Sequence, residues 1–324
     1  MDLKIKELLL VFLIVVTGCQ ENRVNYIKLT GGVFGTSYIV NYKGKQNYKV
    51  QIDSLFDEFN ASLSTYIPTS AISKINKKDS LVVVDAYFEE IMSKSKRIFK
   101  ETDGYFDPTV GDLVNAWGFG PEKVKRDLDS AQVAGLMQSV GFDKVALVNR
   151  KIRKEAAAVY LDFNSIAKGY GVDVIGRFLE GKGVENYLIE IGGEIRTRGD
   201  NKKGEKWTIG VDNPNTDGTR SITDFIKLSD ESMASSGNYR KFRVSKEGKK
   251  YVHTVNPKTG FAEENDLLSA TVYGAIDCAD LDAYATAFMA MGFEKTKAFL
   301  EKNPDIKAIL VYINKEGVVA RFKC

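Results

Sequence analysis

The stretch from Leu161 to Gly199 constrains the fold more than any other part of this 324-residue chain. It reads LDFNSIAKGYGVDVIGRFLEGKGVENYLIEIGGEIRTRG. An apolar run from Ala156 to Leu161 leads into Asp162, and a small, polar segment follows, Asn164-Ser165-Ile166-Ala167-Lys168-Gly169. Val172, Ile175, Phe178 and Leu179 then recur at helical spacing. Gly181 and Gly183 end that helix, Tyr187 to Ile191 predict a buried strand, and Gly192-Gly193 turn it into a second one, Glu194 to Arg198. A strand, a polar turn and a helix start carrying Ser165 and Lys168 make a generic anion cradle. In such a cradle backbone N–H groups and the positive end of the helix dipole hold a phosphate. Neither GxxxxGK(S/T) nor GxGxxG occurs in the chain, so the pattern points to a phosphorylated ligand without naming it.

The flanking sequence builds an α+β unit around this stretch. Tyr26 to Tyr42 predict two strands about Gly31-Gly32, with a tip, Phe34-Gly35-Thr36-Ser37, whose small residues favour close backbone approach. Helical spacing covers Val50 to Leu63, a short turn about Ala71 to Ile75, and a stripe of Phe88, Ile91, Met92, Ser95 and Phe99 that Asp85 can cap. An exposed helix is expected over Asp129 to Val140 and a strand over Lys144 to Val148. Further strands are expected at Trp207–Val211, Ser221–Leu228, Tyr239–Val244, Tyr251–Val255 and Leu268–Tyr273. Helices over Cys278 to Met291 and Glu294 to Lys302 and a hairpin of Ala308–Ile313 and Val318–Phe322 close the chain. No repeat and no Pro/Gly-rich linker divides it, so one compact unit is expected, with room for a smaller lobe. With 44% hydrophobic residues it can bury a large core. A net charge of +3, with no long Lys/Arg block, gives no reason to expect nucleic acid.

The first residues predict export. Lys4 and Lys6 precede an apolar run, Leu8 to Val16, that is too short to span a bilayer. It ends in Val16-Thr17-Gly18-Cys19, which resembles a bacterial lipoprotein signal. The expected division is a signal peptide over 1–18, a tether over 19–25 with Cys19 lipidated, and a catalytic domain over 26–324. Cys278 and Cys324 either pair or stay as thiols; no disulfide framework and no CxxC decides between these.

Few residues carry chemistry. His253 is the only histidine and the only side chain that titrates near neutrality without perturbation. It is either a general base or a hydrogen-bonded strand residue. Asp277 and Asp280 resemble a capping box at a helix start. Asp282 and Thr286 lie four apart on an otherwise small and apolar helix, so they share a face. A buried carboxylate needs a partner, and two hard oxygens at that spacing can form part of a Mg2+ shell. Asp107 and Asp162 each end an apolar or aromatic segment, where they can bind a ligand or cap a turn. The pairs Tyr105-Phe106 and Trp117/Phe119 either stack on a flat heterocycle or fill the core.

Eight segments taken in order carry a resemblance. They are FGTSY, LSTYIPTSAISKIN, TDGYFDPTVGDLVNAWGFG, LDFNSIAKGYGVD, YLIEIGGEIRTRG, SMASSGNYRKF, HTVNPKTG and DLDAYATAFMAMG. Together they resemble the FAD:protein FMN transferases, the ApbE-type flavin transferases, from about Phe34 to Tyr312. The resemblance implies a T-fold-like α+β domain. It also implies an FAD site touched by Phe34, Tyr66, Tyr105, Phe106, Asp107, Asp162, Lys168 and Val255. Mg2+ would be held by Asp282, Thr286 and the carbonyl of Ser165, and His253 would be the catalytic base. Phe34 stands where the family usually has Met, and Ser165 where Ala or Thr is usual; a backbone role survives either change.

What the resemblance implies is Mg2+-dependent transfer of FMN from FAD to a Thr or Ser hydroxyl of a partner, with release of AMP. The acceptors would be periplasmic flavoproteins such as electron-transfer complex subunits, reached by an enzyme lipid-anchored at the bacterial cell membrane and facing the periplasm. Two alternatives remain open: an FAD pyrophosphatase giving FMN and AMP, and a non-catalytic FAD-binding lipoprotein.

Overall fold

A computed structural model describes residues 25–121, 127–156, 158–214, 219, 221–238, 242–244, 248 and 250–324. The expected signal peptide, Cys19 and nearly all of the tether lie outside the described residues. So do Tyr239, Arg240 and Lys241 of one expected strand.

The first part of the chain runs through β1 (Tyr26–Val33), β2 (Thr36–Lys43), α1 (Lys49–Leu63), α2 (Ala71–Asn76), α3 (Ala86–Glu101), α4 (Gly111–Ala116) and α5 (Ser130–Met137). The middle comprises β3 (Val145–Val148), β4 (Lys151–Lys154), α6 (Ala167–Gly181), β5 (Tyr187–Ile191), β6 (Glu194–Arg198), β7 (Trp207–Asp212) and β8 (Ile222–Leu228). It ends with β9 (Ser232–Gly237), β10 (Phe242–Val244), β11 (Lys250–Val252), β12 (Leu267–Gly274), α7 (Cys278–Met291), α8 (Phe293–Lys302), β13 (Lys307–Ile313) and β14 (Val319–Lys323).

Among the described residues one antiparallel sheet holds eight strands in the order β1-β2-β5-β6-β9-β12-β13-β14. The pairs β3–β4, β7–β8 and β10–β11 are separate ribbons. This is the expected α+β class. α7 lies at the centre, buried along most of its length. Its alanines let α6, β9 and β12 approach closely, and its large side chains join a core with Phe88, Phe106, Phe142, Phe163 and Leu310. A helix apolar on nearly every face is one surrounded by protein.

Several expectations are corrected. The β1–β2 turn falls at Phe34-Gly35, inside the expected tip, and Gly31-Gly32 lie within β1 rather than between the strands. Gly31 instead pairs with Tyr38, whose ring would lie 2.7 Å from a Cβ there. Among the described residues of the run from Ala156 to Leu161 no strand forms; Tyr160 makes an isolated bridge with Val110. The strand expected to Val255 ends at Val252, because the chain turns at Asn256, whose carbonyl accepts the Gly260 N–H at 2.8 Å. β9 was not anticipated, yet it links the two halves of the sheet.

The capping box also fails. Asp277 makes no side-chain cap on α7; it bonds Lys94 and Arg196 at 2.6 and 3.0 Å, and Asp280 bonds Arg97 at 2.6 Å. These arginines and the lysine are closer partners than the helix's own N–H groups.

Candidate active site

One cleft of 1430 Å3 gathers Phe34, Tyr66, Tyr105, Phe106, Asp107, Asp162, Ser165, Lys168, His253, Val255, Asp282 and Thr286. Every described residue expected at the site therefore lines the same cavity. Cys19 lies outside the described residues.

The floor is built where α6 meets α7. The α6 ladder begins with the Tyr170 N–H on the Ile166 carbonyl at 3.0 Å. The Gly169 N–H is thus one of the free donors of a helix start, and it bonds Asp282 Oδ2 at 3.0 Å. The helices touch here because residue 169 has no side chain: a Cβ would lie 2.4 Å from the Cys278 carbonyl oxygen. The Ser165 carbonyl precedes the first acceptor of that ladder. One turn beyond Asp282, the Thr286 hydroxyl lies 3.4 Å from Ser236 Oγ on β9.

Lys168 projects from the first turn of α6. Its Nζ is 2.8 Å from Glu194 Oε1 and 3.5 Å from Asp282 Oδ1. Burial alone would lower the ammonium pKa, but the Asp282 and Glu194 carboxylates outweigh it and hold the pKa above the ordinary lysine range. Burial pushes both carboxyls up, against the pull of Lys168.

Sequence reasoning missed Glu194. It is 2% exposed and lines the cleft, and its Oε2 has no hydrogen-bond partner among the described residues. The available signal was an acid opening a strand directly after Gly192-Gly193.

The walls come from loops locked to the core. The Phe34-Gly35 turn has positive φ at both residues, 51° and 72°, the pattern of a two-residue hairpin loop whose twist suits the strands. The Phe34 ring is seated 4.8 Å from that of Phe59 and 5.7 Å from that of Phe56. It fills the space over Gly171, where a Cβ would meet it at 2.7 Å. Asp107 Oδ1 accepts the Thr109 N–H at 2.8 Å and hydroxyl at 2.6 Å; burial nevertheless pushes its pKa up to about 6. Asp162 donates its N–H to the Pro108 carbonyl at 2.8 Å and accepts the Asn164 N–H on Oδ1 at the same distance. Tyr66 is exposed at the rim, whereas Phe106, at 1% exposure, belongs mostly to the core. Tyr105 is half-buried; its hydroxyl meets Lys295, and the Lys258 ammonium stands 5.6 Å from its ring centroid.

His253 follows β11 on a braced segment. Trp117 Nε1 donates to the Gly260 carbonyl at 2.9 Å, and the Trp117 and Tyr251 rings lie 4.9 Å apart. The Arg243 guanidinium packs 4.3 Å from the Tyr251 ring centroid and donates to the Trp117 carbonyl at 3.0 Å. Trp117 thus serves structure rather than ligand stacking. Cys278 is buried and Cys324 exposed, and both are free thiols.

The donors at Asp282 suit a hard cation. Among the described residues no three His, Cys, Asp or Glu side chains cluster as metal ligands. One carboxylate, one hydroxyl and one carbonyl are what an ion such as Mg2+ uses when phosphate and water complete its shell. Asp282 Oδ1 stands 3.5 Å from Lys168 Nζ, a contact long enough that the oxygen retains capacity for such an ion.

Known proteins resemble this chain in sequence and in fold. The model of the ApbE family matches residues 34–310. The FAD:protein FMN transferase of Haemophilus influenzae is 34% identical over 94% of this chain and 91% of its own length, and that of Vibrio cholerae is 32% identical over 94% and 92%. The solved flavin transferase ApbE from Vibrio cholerae superposes with a TM-score of 0.82 at 31% identity, covering 92% of this chain and 97% of that one. The apo flavinyl transferase ApbE of Pseudomonas stutzeri gives 0.82 at 27% identity, covering 92% and 94%. With most of its length matched in sequence and in fold, the chain belongs to the ApbE family.

Proposed function

We propose that this chain transfers the FMN moiety of FAD to a Ser or Thr hydroxyl of a partner protein and releases AMP. The observation that carries this reading is the convergence in one cleft of Asp282, Thr286, Lys168 and the single histidine, His253. Relatives named FAD:protein FMN transferase support it. The cleft exceeds what a small ligand fills and leaves room for a dinucleotide and an acceptor segment.

Phe34, Tyr66 and Tyr105 offer ring faces to FAD, Val255 and Phe106 offer apolar wall, and Asp107 and Asp162 accept hydrogen bonds. Asp282, Thr286 and the Ser165 carbonyl would hold Mg2+, which when bound neutralises charge on the pyrophosphate oxygens. Lys168 adds a charge-assisted donor beside that pyrophosphate. The acceptor oxygen attacks the FMN-side phosphorus. The new O–P bond forms as the bond to the bridging oxygen breaks, and that electron pair leaves with AMP. His253 takes the hydroxyl proton.

The run Leu8 to Val16 and the segment Val16-Thr17-Gly18-Cys19 support a lipidated Cys19 and a periplasm-facing enzyme. The acceptors are then periplasmic parts of flavoproteins, among them subunits of electron-transfer complexes.

Incubation of the chain with FAD, Mg2+ and such a subunit tests the reading by intact-mass analysis. The expected result is one FMN esterified to the subunit and one AMP released per adduct. Rapid AMP and free FMN without acceptor would make the chain a pyrophosphatase, and FAD held without turnover would make it a binding protein.

A further inference from the structure

Three charged side chains meet in the lining of the cleft with one positive charge between two negative ones. Lys168 Nζ bonds Glu194 Oε1 at 2.8 Å and stands 3.5 Å from Asp282 Oδ1. Glu194 and Asp282 are each 2% exposed, and a buried charge without compensation is costly. One acceptor stays unused: Glu194 Oε2 is buried and has no hydrogen-bond partner among the described residues. A lysine ammonium has three donors, and the orientation shown engages one of them closely. The carboxylate thus has capacity to take a second N–H of the same ammonium.

The charges change sign in a useful order. With all three groups ionised the cluster carries −1. A divalent cation at Asp282 brings it to +1, the sign that receives the two negative charges of a dinucleotide pyrophosphate. For that ion to enter, the Lys168 ammonium must give up its contact with Asp282, since two cations cannot share one oxygen at low cost. Glu194 is the group to which it can retreat.

We propose that Lys168 is the resident counter-ion of Asp282 before metal binds, and that Glu194 is a positioning residue holding the ammonium aside when a divalent cation takes its place. This rests on the reading of Asp282 as a metal ligand. Glu194 acts through Lys168, not on the ion or on flavin.

The test is a double-substitution cycle on the full chain, read as Mn2+ affinity from the free-ion paramagnetic resonance signal. Titrations use Mn2+ alone and Mn2+ with ADP, whose pyrophosphate can complete the shell. Glu194→Gln is expected to weaken Mn2+ binding about tenfold, since the ammonium loses its second seat and stays on Asp282. In a Lys168→Met background the same substitution is expected to change affinity less than threefold, because independent sites add and coupled ones do not. Glu194→Asp keeps the charge but shortens the reach, and is expected to behave like Glu194→Gln. Melting temperatures identify any variant that fails to fold, and Lys168→Gln then replaces Lys168→Met. Equal losses in both backgrounds, or a Glu194→Asp that binds like wild type, would overturn the proposal. Asp282→Asn serves as the separate arm. If it leaves Mn2+ affinity unchanged, the metal reading itself fails; if it abolishes binding while the cycle is additive, only the exchange fails.

Discussion

Asp173, on α6, caps α7 from the side: its two carboxylate oxygens accept the Cys278 and Ala279 N–H groups at 3.0 and 2.8 Å. The same carboxylate pairs with Arg196 Nη1 at 2.7 Å. Asp173 is fully buried, and the helix it caps carries Asp282 and Thr286. Replacing it with Ala strands two buried helix donors, while Arg196 keeps Asp277 and Glu180 as partners; at about 1–3 kcal/mol per unsatisfied donor the loss is about 2–6 kcal/mol. Urea unfolding is expected to show that loss, and Mg2+-dependent FAD binding is expected to weaken with it.

Gly169→Ala sets two effects against each other. Ala favours a helix interior over Gly by about 1 kcal/mol, but here the added Cβ lies 2.4 Å from the Cys278 carbonyl oxygen. Backbone must move, so net destabilisation is expected, together with loss of the Gly169–Asp282 hydrogen bond. Gly181→Ala, at the other end of α6 with nothing within 4 Å, is expected to be neutral or stabilising by a few tenths of a kcal/mol. Thermal unfolding of the two variants checks the contrast.

The Asp107 carboxyl has a folded pKa of about 6 against an ordinary 3.8. Its protonated form is favoured by folding, so its stabilising contribution is complete below about pH 4 and is lost as pH rises through about 6. Asp107→Asn mimics the protonated acid and keeps an oxygen for Thr109. It is expected to match wild type near pH 4 and to be more stable by about 3 kcal/mol at pH 8. Denaturant curves of the flavin-free chain across that range decide it; a constant difference at all pH values would refute the assignment.

His253→Ala is expected to slow FMN transfer by about 10²–10⁴-fold, the usual worth of a positioned general base. FAD affinity, followed by flavin fluorescence, is expected to stay within about threefold. A variant that loses FAD affinity while keeping its turnover rate would make His253 a binding residue.

Chelation offers a second check on the transfer chemistry. EDTA is expected to abolish adduct formation and excess Mg2+ to restore it, while Asp282→Ala is expected to remain inactive at any Mg2+ concentration tested by mass analysis.

Much of this site was legible because its elements are local patterns. Asp282 and Thr286 share a helix face by spacing alone, and the Lys168 helix start follows from small residues and apolar periodicity. Glu194 was not legible. An acid after Gly192-Gly193 has the look of a solvated turn, and only the position of β6 between β5 and β9 buries it. β9 itself, Ser232–Gly237, has no β-branched residue; its strand is imposed by pairing with β12 and β6. Asp277 was misread for the same reason. A local capping pattern lost to Asp173, whose partner Cys278 is 105 residues away, a separation that short-range patterns cannot convey.

The order of the central sheet sets how the molecule can be connected to its surroundings. β1 and β14 occupy opposite edges, and seven interstrand spacings separate them, roughly 34 Å measured along the sheet. The first and last strands therefore end on different edges of the sheet, and a reporter or a fused acceptor joined after Cys324 would leave from the β14 edge, not from the edge that β1 forms.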